Sequence, residues 1–558
     1  MNNNIYDAIV IGGGMTGSYA AKNLCEAGLK TLLLERGPSR KHPESYSESS
    51  KDPWDYRYRG IIAENLKRQQ PVQSNIFLYT DATAKSFVDD VKNPYSTTAN
   101  KPFNWYRAYQ LGGKSLQWGR QCYRWSDLDF AANKRDGIGI DWPLRYRDIA
   151  PFYEEVEKFV GISGQVEGLP QLPDGHYQPP MPMNDMEFAM RAIAATHWPE
   201  RRITMGRVAN LTKPHNDRGP CIYRDKCALG CPHGGYYSGL SGALPVASAT
   251  GKLTVKCDAI VERIIYDKAR RRAKSVRVLD ANSGQDQEYS APIIFVCAGT
   301  LNSTWLLLNS AEADGVGTAS GELGHNLMDH HHMVASAVVI GGPKTFPQGR
   351  RPTRCYMPRY RNLNGGDEAG FRRGYAFELG AQREDWTKEF HSTAIGVELK
   401  ARLSQWGAWR IIMVGYGEML PDHSNRVSLD HLNRDAWGLP SLKIDAEFKA
   451  NELEMNADMT ASSLEMLEAF GGTESVIWQQ MSKLGESIHE MGTARMGRDP
   501  ATSVLDPFNR LWDAPNVYVT DGAAMASSAC QNPSLTYMAL TARAVGHAVA
   551  ALRNNGGV

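Results

Sequence analysis

The chain has 558 residues, of which 42% are hydrophobic and 22% charged, and its formal net charge is +1. This composition is typical of a soluble globular protein with room for more than one domain. The near-zero charge gives no electrostatic case for nucleic acid or an anionic membrane surface as a partner. We find no apolar run of the ~20 residues that a membrane span needs, and no export signal at the N-terminus.

The first elements predict a dinucleotide-binding turn. Residues 5–11 read as a buried strand, a segment with helical spacing follows, and TLLLE reads as a second strand ending at Glu35. Gly12 permits the tight turn, Gly14 lets the backbone approach a pyrophosphate, and Gly17 lets helix and strand pack closely. Glu35 is placed to accept ribose hydroxyls. The motif alone does not separate FAD from NAD.

Three of the nine cysteines, Cys221, Cys227 and Cys231, lie within eleven residues, and the last is followed by proline. Their spacing is that of a bacterial ferredoxin run with Arg224 in place of the second cysteine. Three thiolates suit a three-iron, four-sulfur cluster, or a four-iron cluster with one other ligand. A zinc site with His233 as fourth ligand, a disulfide with a leftover thiol, and coincidence are the alternatives.

Two further segments of the middle region have a local interpretation. The basic run KARRRAK lies between the strand-like IVERIIYD and SVRVLD, so we predict a hairpin with a solvated tip. Three consecutive histidines, 330–332, resemble a metal site at first sight. Adjacent histidines rarely all face one ion, so we do not predict a metal there.

The C-terminal region contributes a second candidate site. NVYVTDG reads as a strand that ends at Asp521 and Gly522, and Asn532 and Pro533 precede a helix whose N-terminal dipole favours negative charge. His489 lies in a glycine-flanked loop. A histidine and an asparagine from separate segments could both face one flavin; a structural histidine and a capping asparagine are the alternative.

Six sequence blocks resemble the glucose–methanol–choline (GMC) oxidoreductase family, and they occur in the family's order along nearly the whole chain. They are the N-terminal βαβ segment, LGGKSLQWG, VCAGTLNS, LGHNLMDH, HEMGTARMG, and VTDGAAMA with NPSLT. The resemblance implies an α/β fold with two domains. A Rossmann-like FAD-binding domain would comprise residues 1–330 and 481–558, and a substrate domain built on an antiparallel sheet would comprise residues 331–480.

The resemblance also implies which residues hold FAD. The ADP half would be held by the residues of the N-terminal turn and by Glu35, and the rest of the cofactor by residues that match the other family motifs. These further residues are Gly112, Gly113, Ser115, Val261, Ala298, Gly299, Asp521, Gly522, Asn532 and Pro533. Some members link FAD to a histidine in the LGGKSLQWG segment. This chain has Gln117 and Trp118 there, so we expect noncovalent FAD.

By the same resemblance, His489 and Asn532 form the catalytic pair. His489 would accept the proton of a substrate hydroxyl while hydride passes to the flavin, which suits a side chain whose pKa lies near neutral. Asn532 does not titrate and would orient the hydroxyl. Aromatic residues of the substrate domain, Trp386, Trp406, Trp409 and Tyr416, are candidates for stacking on a sugar, although each is more often core.

A bacterial branch of sugar dehydrogenases in this family carries a three-iron cluster on a similar cysteine stretch. We therefore expect an FAD-dependent dehydrogenase that oxidises a secondary hydroxyl, with C3 favoured, of a glucoside or disaccharide. Electrons would pass through the Fe–S cluster to a cytochrome c or similar acceptor. A small partner subunit with a twin-arginine signal would carry the enzyme to the periplasm; a cytoplasmic enzyme is the alternative.

Three other functions remain open. The chain would be a sugar or C-glycoside 3-oxidase if O₂ is the acceptor and the cysteines are structural. It would be a glucose or gluconate dehydrogenase of the same branch if C1 or C2 is oxidised. A noncatalytic flavin-containing sensor or carrier is the third, and the presence of His489, Asn532 and a substrate domain speaks against it.

Overall fold

The computed structural model describes residues 6–56, 61–345, 351–384, 389 and 392–554. Trp386 lies outside these described residues. The strands are Ala8–Ile11 (β1), Thr31–Leu34 (β2), Ser96–Thr97 (β3), Thr204–Met205 (β4), Leu253–Lys256 (β5), Ala259–Asp267 (β6), Arg272–Asp280 (β7), Asp286–Ser290 (β8), Ile293–Val296 (β9), His331–Val339 (β10), Cys355–Met357 (β11), Tyr375–Arg383 (β12), Trp409–Gly417 (β13), Arg426–Arg434 (β14), Pro440–Asp445 (β15), Thr473–Gln479 (β16) and Val517–Val519 (β17).

The α-helices are distributed along the whole chain. They are Met15–Glu26 (α1), Glu64–Gln69 (α2), Asp127–Phe130 (α3), Ala132–Asp136 (α4), Tyr146–Val160 (α5), Asp185–His197 (α6), Ala243–Ala249 (α7), Thr300–Asp314 (α8), Gly396–Leu403 (α9), Ala450–Ala469 (α10) and Ser534–Asn554 (α11).

A five-stranded parallel sheet forms the first layer, with strand order β17-β9-β1-β2-β5. All four residues of β1, β2 and β9 are buried, as expected for parallel strands that are covered on both faces. The helices α1 and α11 pack against one another beside this sheet. The predicted Rossmann-like domain is thereby confirmed, and its last strand and last helix come from the C-terminal end of the chain.

A six-stranded antiparallel sheet forms the second layer, with strand order β16-β10-β13-β12-β11-β4. Along β12 the residues alternate between two environments, as the pleat requires. Tyr375, Phe377 and Leu379 enter a core shared with α10, whereas Ala376 and Glu378 belong to the opposite face. The predicted antiparallel substrate-domain sheet is therefore also confirmed.

The two layers exchange segments of chain. β4 and α6 precede residue 331, yet Met186, Met190 and Met205 pack in the core of the six-stranded sheet. Conversely, β14 pairs with β15 and β15 with β3, and Val427 and Ile444 pack in the core beside α8. The predicted hairpin is present as β6 and β7, which pair antiparallel across residues 268–271.

The C-terminal helix α11 is long and apolar enough, by length and composition, to cross a membrane, and it is the one such helix within the described residues. The sequence analysis did not identify it. In this structure it packs against α1 and α5, and its buried residues include Met538, Leu540 and Val545. The central helix of a globular core passes the same test of length and composition.

Candidate active site

The turn from β1 into α1 has the geometry that the glycine pattern predicts. Gly12 has φ of +97°, and a Cβ at this position would lie 2.6 Å from the carbonyl oxygen of Cys297. A Cβ on Gly17 would lie 1.8 Å from the carbonyl oxygen of Gly12, so helix and turn touch. Around Gly14 nothing lies within 4 Å of a Cβ position. Gly14 therefore presents open backbone at the start of the helix.

The N-terminus of α1 is suited to an anionic ligand. It has no side-chain cap, and no acidic residue lies in its first turn. The first backbone N–H groups of a helix lack partners within it, and the helix dipole favours negative charge at this end. A pyrophosphate placed against Gly14 would meet both conditions.

Glu35 lies at the end of β2 and is buried. One carboxylate oxygen accepts the N–H of Gly13 at 2.8 Å, and the other accepts that of Gly37 at 2.8 Å. Burial raises the pKa of Glu35 to about 7. The two N–H groups fix the carboxylate beside the turn, at the position from which the sequence predicts contact with a ribose.

The segment 112–115 lies directly against the dinucleotide turn. The N–H of Gly112 donates to the carbonyl of Gly13 at 3.0 Å, and a Cβ on Gly113 would lie 3.1 Å from Cα of Gly14. The hydroxyl of Ser115 donates to the carbonyl of Gly112 and accepts the N–H of Gly239 at 3.0 Å. The two predicted cofactor segments are thus brought together.

Asp521 joins the ends of two neighbouring parallel strands, β9 and β17. Its carboxylate accepts the N–H groups of Gly299 at 2.9 Å and Ala523 at 3.0 Å, and the hydroxyl of Ser303. Burial raises the pKa of Asp521. The turn that contains Ala298 and Gly299 therefore meets the Asp521–Gly522 segment at one edge of the sheet, where open α/β sheets bind ligands.

Val261 lies on β6, the strand that begins beside Glu35. It is buried on β6, and the N–H groups of Asp258 and Ala259 donate to the carbonyls of Gly37 and Glu35. Val261 thus lies on a strand whose start is hydrogen-bonded to the segment that begins at Glu35. The uncapped helix, the open backbone at Gly14 and the anchored Glu35 fit a dinucleotide such as FAD.

The side chains of His489 and Asn532 lie in contact. The Nδ2 atom of Asn532 lies 3.3 Å from Nε2 of His489. The backbone of His489 is fixed by Asp329, whose carboxylate accepts the N–H of His489 at 3.0 Å and that of Gly485 at 2.8 Å. Burial raises the pKa of Asp329 to about 8.

His330 contacts the other side of the His489 ring. The two Nδ1 atoms are 3.0 Å apart, and the rings meet edge to face with centroids 4.8 Å apart. Burial lowers the pKa of His330 to about 4. Burial, together with His330, Lys114 and His332, lowers the pKa of His489 well below its ordinary value. Both rings are therefore neutral near neutral pH.

The face of the six-stranded sheet that carries Ala376 and Glu378 borders the His489–Asn532 pair. The ring of Tyr416 lies 5.9 Å from that of His489, and Asn532 lies near enough to Glu378 to act toward a lower pKa of its carboxyl. Burial is the larger effect and raises the pKa of Glu378 overall. A phenol, a carboxylate and an amide thus offer hydrogen-bonding groups next to the candidate base.

The sequence analysis missed His330 and Glu378. His330 ends the LGHNLMDH block and is the first of the three consecutive histidines, to which the sequence analysis assigned no role. Glu378 is the polar residue in the otherwise apolar run YAFELGA, which was a usable signal of a polar position on a sheet face. Of the described candidate aromatics, Tyr416 lies at the site. Trp409 is core at the opposite end of β13, and Trp406 precedes that strand.

The three consecutive histidines do not share one face. His331 lies near Asn456 and packs on Phe448, whereas His332 bonds Ser487 and Gln479, as alternation along a strand requires. Among the described residues, no group of three or more His, Cys, Asp or Glu side chains is arranged to hold a metal ion.

The clustered cysteines are half-buried free thiols. Burial raises the pKa of Cys221, and the neighbouring Cys227 and Cys231 add to this effect. The N–H of Gly235 donates to the sulfur of Cys231 at 3.3 Å. The three thiols are thus near neighbours, but the closed ligand set that the spacing predicts is not assembled within the described residues.

Family profiles match most of the chain. The profile of the N-terminal part of GMC oxidoreductases matches residues 6–332, and that of the C-terminal part matches residues 421–541. Both ranges include site residues described above: the dinucleotide turn, His330, His489 and Asn532.

Curated relatives cover nearly the full length. The 2-methyl-1,2-propanediol dehydrogenase of Mycolicibacterium austroafricanum is 26% identical over 96% of this chain and 94% of its own. The fructose dehydrogenase large subunit of Gluconobacter japonicus is 25% identical over 96% of both chains. The C-glycoside 3-oxidase of Arthrobacter globiformis is 28% identical, over 21% of this chain and 23% of its own.

Solved structures share the fold. A formate oxidase of Aspergillus oryzae superposes with a TM-score of 0.64 at 14% identity, covering 99% of this chain and 100% of the other. A pyridoxine 4-oxidase superposes with a TM-score of 0.58 at 15% identity, covering 97% and 98%. At these identities the likeness shows the fold alone.

Proposed function

This chain belongs to the GMC oxidoreductase family, and from that premise we propose that it oxidises a secondary hydroxyl, at C3, of a glucoside or disaccharide to the keto sugar. The chain is an FAD-dependent oxidoreductase acting on alcohols or sugars. The observation that carries the proposal is the contact of His489 with Asn532 beside the polar face of the six-stranded sheet.

Each of these residues has a distinct role in the proposed oxidation. His489 takes the hydroxyl proton at Nε2, once the hydroxyl has displaced the amide of Asn532 from the lone pair of that nitrogen. Asn532 orients the hydroxyl by hydrogen bonding. Asp329 holds the backbone of His489 in place. The turn at Gly14, Glu35 and the Asp521 segment would hold FAD, which would supply the acceptor for the hydride from the carbon that bears the hydroxyl.

The substrate class is supported by the polar wall and by the relatives. Tyr416, Glu378 and Asn532 offer donors and acceptors for several hydroxyl groups at once, as a sugar presents them. Relatives are named for fructose, gluconate and a diol. The choice of C3 rests on family resemblance and on the partial match to a C-glycoside 3-oxidase.

That partial match favours one second candidate, a sugar 3-oxidase that uses O₂. A glucose or gluconate dehydrogenase is the third reading, since a gluconate 2-dehydrogenase flavoprotein is 23% identical over 96% of this chain. The three differ in acceptor and in the carbon that is oxidised.

The first experiment mixes FAD-loaded protein with methyl glucoside without oxygen and follows flavin bleaching. The 3-deoxy analogue serves as the matched control, since it lacks only the hydroxyl in question. Bleaching by the first sugar and not by the second supports C3 oxidation; equal bleaching by both excludes it. Peroxide formed without an added acceptor would favour the oxidase.

We also propose that Cys221, Cys227 and Cys231 hold an Fe–S cluster, with three irons favoured, that passes electrons to the acceptor. Their mutual proximity and the N–H donated to Cys231 support it. Iron and zinc analysis with electron paramagnetic resonance tests it. Cys227→Ser should spare flavin reduction and slow dye reduction, while Cys257→Ser, outside the segment, should change neither. Iron-free, FAD-loaded protein would exclude the cluster.

The name of one relative supports the presence of partner subunits. Because one relative is named as a large subunit, partner subunits are expected in this group of proteins. We propose a small subunit bearing a twin-arginine signal, a cytochrome c or similar acceptor, and a periplasmic location. Co-purification of such a subunit from a periplasmic extract would support this assignment, and recovery of the chain only with the cytoplasm would overturn it.

A further inference from the structure

The groups around His489 and His330 determine which ring nitrogens of these two histidines carry protons. The Nδ2 atom of Asn532 lies 3.3 Å from Nε2 of His489. The NH₂ end of an amide only donates hydrogen bonds. The amide nitrogen of Asn532 therefore donates to Nε2 of His489.

A nitrogen that accepts a hydrogen bond carries no proton, so Nε2 of His489 is bare and Nδ1 carries the proton. The Nδ1 atom of His489 lies 3.0 Å from Nδ1 of His330. Two neutral rings that meet nitrogen to nitrogen share one proton, and here the proton belongs to His489. His330 therefore accepts at Nδ1.

His330 has its own proton on the remaining nitrogen, Nε2. That atom is buried and has no hydrogen-bond partner among the described residues, and the backbone of Ala529 is near enough to the ring to act toward a higher pKa. The hydrogen-bond directions along Asn532, His489 and His330 are mutually consistent. Burial keeps His330 neutral, so its Nδ1 lone pair stays available.

We infer that His330 is a positioning residue, which holds His489 in the tautomer whose Nε2 is bare and faces the substrate hydroxyl. The inference rests on the role proposed for His489. Without the acceptor at His330, moving the ring proton of His489 from Nδ1 to Nε2 would break no hydrogen bond at Nδ1. The tautomer with its proton on Nε2 cannot accept a proton from the substrate there. His331, the adjacent buried histidine, points to Asn456 instead and has no such role.

The test compares three variants of the FAD-loaded enzyme. His330→Leu removes the acceptor, and His330→Asn keeps one, because its side-chain oxygen can occupy the place of Nδ1. His331→Leu is the matched control, since it also deletes a buried histidine of the same segment. Thermal unfolding and flavin content report folding, and if His330→Leu does not retain flavin, His330→Met replaces it.

The first readout is ¹⁵N nuclear magnetic resonance of histidine-labelled protein without substrate. The His489 signals are identified by their absence in His489→Gln. We expect the proton on Nδ1 in the wild type, in His330→Asn and in His331→Leu, and a shift toward Nε2 in His330→Leu. A proton on Nε2 in the wild type, or an unchanged tautomer in His330→Leu, would overturn the inference.

The second readout is the rate of flavin reduction by methyl glucoside. His330→Leu should lower the rate constant by about 10- to 100-fold at nearly unchanged sugar affinity, and His330→Asn should remain within about five-fold of the wild type. Equal losses in both variants would mean a merely structural role. A wild type that no sugar reduces would instead refute the proposed function, and the tautomer measurement would still decide the inference.

Discussion

The chemistry of this site depends on one imidazole that must be neutral to act. Burial, His330, Lys114 and His332 lower the pKa of His489 well below its ordinary value. A base is active above its own pKa, so a lowered pKa moves the loss of activity to more acidic solution. Histidine titration should therefore not limit the reaction near neutral pH.

The rate of flavin reduction should stay level as the pH falls from 7.5 through the ordinary histidine pKa of ~6.5. The decline should begin only below that value. Stopped-flow reduction with a saturating sugar, measured in overlapping buffers, checks this. A rate that is halved at pH 6.5 or above would contradict the lowered pKa of His489.

Replacing the base should separate chemistry from binding. His489→Gln should retain FAD and lose flavin reduction by about 10²- to 10⁴-fold, because an amide cannot take up the proton. His325→Gln is the control: its ring stacks on His423 away from the site, and its rate should not change. Bleaching of His489→Gln at the wild-type rate would remove His489 from the mechanism.

At the scale of elements, the geometry of the cofactor site depends on the contact between α1 and the first turn. A Cβ on Gly17 would lie 1.8 Å from a backbone oxygen, which cannot move aside as a side chain can. Gly17→Ala should therefore shift α1 away from the turn, with an overpacking cost of about 1–3 kcal/mol. The helix start and its phosphate-facing N–H groups would shift with it.

Gly546 in α11 offers the matched comparison, because nothing lies within 4 Å of a Cβ there. Gly546→Ala should be neutral or raise stability by about 0.5–1 kcal/mol through helix propensity. Thermal unfolding and the ratio of flavin to protein absorbance measure both variants. If Gly17→Ala keeps its flavin and its melting temperature, the packing argument fails.

The elements differ in how far local sequence determines them. The β1–α1–β2 turn and the β6–β7 hairpin were predictable because their strands, glycines and tip follow one another in the sequence. The His489–Asn532 contact was predictable only through family resemblance. Its partner His330 was not, since the two histidines are 159 residues apart and no local pattern records such a contact.

At the scale of the whole molecule, the two layers are fastened by a buried ionic network. Arg373 is fully buried, and its guanidinium lies 2.5 Å from Asp136 of α4 and 3.0 Å from Glu418, which follows β13. Asn133 accepts a further hydrogen bond from it at 2.9 Å. One side chain thus ties the substrate-domain sheet to the FAD-binding layer.

Arg373→Met should destabilise the protein by up to about 3–5 kcal/mol, because Asp136 and Glu418 lose their buried shared partner and keep only Arg135 and Arg359 respectively. Arg402→Met, which breaks an exposed pair with Glu398, should cost only ~0.3–0.5 kcal/mol. Denaturant unfolding of the two variants makes the comparison. Similar small losses in both would show that the network contributes little to the attachment of the layers.

The interweaving of the layers was not predictable from local sequence. Residues 185–205 have no motif that assigns them to the six-stranded sheet, and the two-residue strand β4 is too short to show a period. Their place is decided by Met186, Met190 and Met205, which fill the core beneath that sheet. A boundary drawn from sequence blocks alone follows the motifs and not the packing.

Because β17 lies near the C-terminal end of the chain, the parallel sheet can be completed only late in translation. A growing chain has β1 and α1 from the start, but β9 lacks its outer neighbour until β17 has been translated. His489, Asn532 and α11 also leave the ribosome late, long after the turn at Gly14. A polypeptide released before His489 thus lacks the base, its amide partner and the closing strand, so it cannot become active.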